Sequence, residues 1–110
     1  MSASNVGAHN WWVDRRTCIV MRNHRAVHLG VVQFAIFDIL HRQGVKGGKQ
    51  MRSKALCDAV YRGVGNPPLW AMTVINQSVR VMNRKLAHLK LRIRAVNRSN
   101  NSFYQIVVLA

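Results

Sequence analysis

Negative charge is scarce in this chain. Of its 110 residues only Asp14, Asp38 and Asp58 are acidic, glutamate is absent, and nothing after Asp58 carries a carboxylate. Three scattered aspartates supply no carboxylate pair for general acid–base work, and no Ser/His/Asp arrangement can be read, so no catalysis is expected. Cysteine is limited to Cys18 and Cys57, far apart and outside any CxxC pattern. A reduced cytoplasmic interior and two buried thiols is the expectation. His24 and His28 are four apart, but across a strand-turn segment, so they form no facing metal pair. No metal and no cofactor is expected. Long apolar runs are missing too: the longest, 29–40, is broken by Gln33 and Asp38 and is too short to span a bilayer. The first ten residues have neither a basic n-region nor an apolar h-region, so no secretory signal is expected.

What is present is cationic and apolar. Lys and Arg total 17, for a net charge of +14, and 49% of the residues are hydrophobic. That apolar fraction suits one packed domain, over 11–110, behind a flexible N-terminus at 1–10. The carboxylate-free half carries Arg62, Arg80, Arg84, Lys85, Lys90, Arg92, Arg94 and Arg98. A polyanionic partner follows, nucleic acid first and anionic membrane a distant second.

Along the chain, Trp11-Trp12-Val13 begins ordered structure. The pair of Trp is expected to seal the edge of a small core, with base stacking as the alternative. Residues 18–21 and 26–29 read as strands around a turn at 22–25, an antiparallel hairpin or small sheet. A helical pattern runs from Val31 to about Gln43, with Phe34, Phe37 and Leu40 on one side and Gly44 as its stop. The basic loop 45–49 has glycines beside lysines but lacks the GxxxxGK[ST] spacing and follows a helix, so it is not a phosphate loop. A shorter helix is expected from Ser53, its N-cap, to about Arg62. Residues 63–68 (GVGNPP) form a loop. A long helix then runs from Leu69 or Trp70 to about Leu89. In the tail, Leu91, Ile93 and Ala95 alternate with Arg92 and Arg94, residues 97–102 turn, and 103–109 return as a strand.

The long helix is the most informative element. Ile75, Val79, Met82 and Leu86 make one apolar stripe, while Thr73, Gln77, Arg80 and Arg84 lie opposite, flanked by Asn76 and Lys85. Long cations mixed with amides are the side chains that pair with phosphates and base edges. An ordinary solvated face mixes both signs of charge, and this one does not. Three helices followed by a basic hairpin predict an α+β winged helix-turn-helix, with the third helix in the major groove of DNA.

These residues also resemble a family. From Trp11 to Gln43 the chain looks like the start of OmpR/PhoB-type effector domains, the DNA-binding halves of response regulators, on Asp14, Val27-His28-Leu29-Gly30 and Gln33-Phe34. Residues 51–56 resemble the start of that family's second helix, and Val60-Tyr61 its end. Residues 75–86 are similar to its recognition helix, and Ile93 to Val96 through Phe103-Tyr104 look like its wing. The resemblance covers roughly nine-tenths of the chain and rests on the order and spacing of the motifs. It implies sequence-selective binding of double-stranded DNA, transcription regulation, and tandem copies or a dimer on DNA. With no receiver domain, a small standalone regulator of phage or mobile-element type is the expectation. Departures are Val81 and Asn83, which stand where the family often has Arg, the absence of the wing glycines, and a wing turn that reads a few residues longer.

Arg80, central to the outer face, is the first choice for a base or phosphate contact. Gln77 and Asn76 are candidates to read adenine, and Val81 either packs on a thymine methyl or is a plain surface valine. Arg84, Lys85 and Thr73 are expected on phosphates and Arg98 in the minor groove. Arg92 and Arg94 either track the backbone or face solvent with no role. Relatives contact RNA polymerase through the loop at 63–70; an exposed Trp70 would fit a protein partner, but a core position is the expectation for it. The competing functions are an RNA-binding basic protein and a protein-interaction adaptor or inhibitor on the same scaffold.

Overall fold

A computed structural model describes residues 11–45, 50–62, 68–98 and 101–109, with 43–45, 97, 98 and 101 described by their backbone alone. The described residues form an α+β fold of three α-helices and two three-stranded antiparallel sheets. The first sheet is a meander of β1 (Trp11–Asp14), β2 (Ile19–Arg22) and β3 (Arg25–His28), with Val13 opposite Val20 and Val20 opposite Val27. Alternation puts Trp11, Val13, Val20 and Val27 on the inner face. Asn23 and His24 turn the chain between β2 and β3 at φ 52° and 66°. Two consecutive left-handed residues make the tight hairpin turn whose twist matches its strands.

Helix α1 (Val31–Val45) starts with half a capping box: the Gln33 carboxamide oxygen accepts from the Gly30 backbone N–H at 3.0 Å. It runs through Gly44 rather than stopping before it, so the glycine costs helix propensity without breaking the helix. The first sheet is fastened to α1 by Trp11, whose indole N–H donates to Nδ1 of His41 at 2.8 Å, with both residues buried. The Phe37 ring stacks on His41 and meets Trp11 edge-on. One turn away Asp38 accepts from Arg15 at 3.1 Å and Arg42 at 2.6 Å. Trp11 therefore seals a core edge, as expected, while Trp12, on the opposite face of β1, is half-buried.

Strand β4 (Met51–Arg52), not anticipated from the sequence, pairs with β6 (Asn101–Val108), which pairs in turn with β5 (Leu91–Arg98). The β5–β6 ladder continues to Arg98 opposite Asn101, so the wing turn is shorter than its polar composition suggested. Cross-strand hydrogen bonding has drawn turn-forming residues into the ladder. Helix α2 covers Ser53–Val60; Arg52, with extended backbone, is the N-cap and Ser53 lies inside the helix. Forming β4 holds Arg52 extended and delays the helix by one residue. Helix α3 covers Ala71–Leu86, and its last turn tightens into a 3₁₀ segment at Ala87–Leu89.

Phe34, Phe37 and Leu40 of α1, Leu56 of α2, and Ile75, Val79, Met82 and Leu86 of α3 meet Leu91, Ile93 and Tyr104 of the second sheet in one core. The stripe expected on α3 is its buried side. Val45, expected to open the basic loop at 45–49, ends α1, and Cys18 and Cys57, expected to be buried, are half-buried at the margin of the core. The frayed N-terminus expected at 1–10, the rest of that basic loop and most of the 63–68 loop lie outside the described residues.

Candidate nucleic-acid interface

With its stripe buried, α3 offers three other faces. Asn76, Arg80, Asn83 and Ala87 look toward the β5–β6 hairpin, Thr73, Gln77, Val81 and Arg84 point outward with Arg84 bordering the hairpin side, and Lys85 lies toward the first sheet. Thr73, Asn76, Gln77, Arg80 and Arg84 are all exposed, and Val81 retains 42% of its accessible surface. Lys85 is half-buried and its ammonium donates to the His28 carbonyl at 3.1 Å. It ties α3 to β3 while keeping donors to spare.

An open groove of about 730 Å³ separates α3 from the hairpin. Arg80 lines it from the helix and Arg92 and Arg94 line it from β5, over a floor that includes Val79 and Ile93. A second hollow continues it past Arg84 to Ala87. The alternation of β5 causes this: Leu91 and Ile93 are buried, so Arg92 and Arg94 must be exposed. The groove lining contains no carboxylate. Asp38 is committed to Arg15 and Arg42. Asp14 accepts from the Arg16 backbone N–H in the β1–β2 turn, and the Thr17 hydroxyl, its strongest neighbour, holds its carboxyl below the usual aspartate value. Asp58 lies on α2. The positive field of the groove is therefore unopposed at contact range.

Two side chains that sequence reasoning did not give a role organise the groove. The Asn83 carboxamide donates to the Ile93 carbonyl at 3.0 Å and accepts from the Ile93 N–H at 2.8 Å. Since β5 is an edge strand, both backbone groups would otherwise lack a ladder partner. Asn83 thus welds α3 to the hairpin and sets the width of the groove. The available signal was its position flanking the apolar stripe, where an amide is turned inward rather than out. Tyr104, mostly buried, donates its hydroxyl to the Asn76 carboxamide oxygen. Burial pushes the Tyr104 phenol above its ordinary value. Asn76 therefore has its oxygen engaged and only its amide hydrogens to offer a ligand.

A third missed residue lies at the far end of α3. Arg22 is buried and donates to the Leu89 carbonyl at 2.7 Å, satisfying the carbonyl end of the helix. Arg98 belongs to β5 by its backbone, and its side chain lies outside the described residues. Trp70 is not in the core: it is 68% exposed beside Leu69 at 90%. It precedes the first turn of α3, before the apolar stripe begins, and has no core position to enter.

Among the described residues no group of three or more His, Cys, Asp or Glu could hold a metal ion, and no helix is long and apolar enough to cross a membrane. Compared with family models, curated proteins and solved structures, the chain matches none.

Proposed function

We propose that this chain is a winged-helix protein that binds double-stranded DNA sequence-selectively and regulates transcription, with α3 as its recognition helix and β5–β6 as its wing. The element order supports the fold assignment: a hairpin joins the two-residue strand β4 in one sheet, and α3 is fastened to the open edge of β5. The observation that carries the functional reading is the convergence of Arg80, Arg92 and Arg94 on one carboxylate-free groove, with Arg84 at the hollow that continues it. Such a surface repels itself and gains most from phosphates whose condensed counterions its arginines release.

The geometry redistributes the roles expected from sequence. Arg80 leans toward Arg92 and Arg94, and this trio suits a sugar-phosphate backbone lying along the groove. Thr73, Gln77, Val81 and Arg84 point outward and suit the floor of a major groove. Lys85 and Asn76, each partly engaged within the fold, orient the helix more than they read bases.

The test is a titration of random-sequence duplex, selected duplex and RNA hairpin across a salt series, paired with selection from random duplexes. Three arginine–phosphate contacts, from Arg80, Arg92 and Arg94, give log K falling against log salt with a slope of roughly −2.7. Arg84→Ala should relax sequence preference, while Arg92→Ala and Arg94→Ala should weaken all duplexes alike. An enriched RNA ligand with no enriched duplex motif would overturn the DNA assignment. A second reading, a protein-interaction adaptor, rests on the exposed Leu69–Trp70 pair. Specific binding to a protein partner that Trp70→Ala abolishes, beside indiscriminate DNA binding, would favour it.

A further inference from the structure

The cationic surface does not stop at the groove. Beyond Ala87 the chain passes through His88 to Lys90, which adopts a left-handed backbone at φ 57° as the 3₁₀ turn ends. There it meets the β2–β3 turn. Arg22, Asn23, Arg25, His88, Leu89 and Lys90 enclose a concavity of about 320 Å³. Arg22 forms its buried back wall through the Leu89 carbonyl, and Arg25, exposed, makes a long 3.4 Å contact to the His88 carbonyl. No carboxylate lines the concavity, and Asp14 sits at the opposite end of β1–β3, level with Ile19 and His28.

We infer that this concavity is a second phosphate-binding site, formed by Arg25 and Lys90 at the carbonyl end of α3, which extends the nucleic-acid contact from the groove onto the first sheet. This rests on the nucleic-acid reading of the groove. Its ligand is the phosphodiester backbone, chosen by charge complementarity. Arg25 and Lys90 approach from two different elements, and the contact at Arg25 costs little to exchange for a phosphate, since it is long and exposed. Ala87 and Leu91 line the hollow beside Arg84, and their chain neighbours His88 and Lys90 line the concavity, so the two sites adjoin along the chain. The contact is with phosphate and carries no sequence information.

The experiment compares wild type, the double variant Arg25→Gln/Lys90→Asn, and Arg92→Gln/Arg94→Gln, on random-sequence duplex DNA and on an RNA hairpin over a salt series. Asparagine suits the left-handed position 90, and thermal melting verifies that each variant is folded. The Arg25/Lys90 pair should lower the salt slope by about 1.8 and weaken duplex binding roughly tenfold at about 0.2 M salt. An equal loss on DNA and RNA means that phosphate alone is read; a loss on one only assigns the site to that polymer. An unchanged slope in a folded Arg25/Lys90 variant, while the Arg92/Arg94 pair still lowers it, overturns the second site and leaves the groove intact. If neither pair changes the slope, the nucleic-acid reading itself fails.

Discussion

Replacing Asn83 with alanine should be among the most damaging changes on the exposed half of α3. The side chain makes two hydrogen bonds to one residue, at 3.0 and 2.8 Å, and Ile93 itself is buried. Each bond contributes about 0.5–1.5 kcal/mol net, and a buried backbone group left unsatisfied costs about 1–3 kcal/mol. Because the site borders an open groove, water can reach part of it, and the lower ends of these ranges apply. The expected loss is about 2–4 kcal/mol, a large share of the 5–15 kcal/mol typical of a domain. In a thermal melt this is a drop on the order of 10 °C. Guanidinium denaturation of wild type, Asn83→Ala and Asn83→Asp, with m-values compared, is the appropriate assay. Aspartate keeps the acceptor for the Ile93 N–H but turns a second oxygen on the Ile93 carbonyl, so it should rescue nothing. A folded Asn83→Ala variant within about 0.5 kcal/mol of wild type would refute the weld.

Trp11→Phe removes the N–H that His41 accepts and leaves space beside Phe37; it should cost about 2–3 kcal/mol by calorimetry while leaving DNA affinity unchanged below its melting temperature. Asp38→Asn frees Arg15 and Arg42, both more than half exposed, so the cost should stay near 1 kcal/mol and the gap to wild type should narrow at high salt. Burial raises the Tyr104 phenol above its ordinary value of 10.0, so its contribution to stability is full below that pH and is lost as pH climbs through the folded value. Alkaline denaturation should therefore be less steep in Tyr104→Phe, and an unaltered alkaline limb would contradict the burial of that hydroxyl.

How far the fold could be read from residues depended on whether periodicity or pairing decided each element. The stripe Ile75, Val79, Met82, Leu86 and the alternation of β5 repeat strongly, and both were legible with the correct sides buried. The ends of elements were not, because they are set by partners distant in sequence. Gly44 stays helical in its tertiary setting, and Arg52 is extended because β6 lies beside it. Residues 97–102 have turn composition, yet the ladder with its opposite strand carries pairing to Arg98. Trp70 was misplaced for a related reason: its size favours a core, but the stripe that buries α3 begins only at Ile75.

The candidate site was legible as chemistry and not as geometry. Charge counting identified the cations of α3 and β5, but nothing local says that Arg80 leans toward the hairpin while Gln77 and Arg84 point out. That division depends on the angle at which α3 meets β5, which Asn83 and the Tyr104–Asn76 pair set across 10 and 28 residues of chain. The same three acids that made the charge imbalance visible also explain why it survives folding. Asp38 is spent holding the first sheet to α1, Asp14 shapes a turn, and Asp58 lies on another helix. Meanwhile Arg22 and Lys85 find backbone carbonyls instead of carboxylates, Arg22 at the negative end of α3. The chain thus seats these two cations on its own dipoles and leaves Arg80, Arg84, Arg92 and Arg94 with no acid of its own to meet.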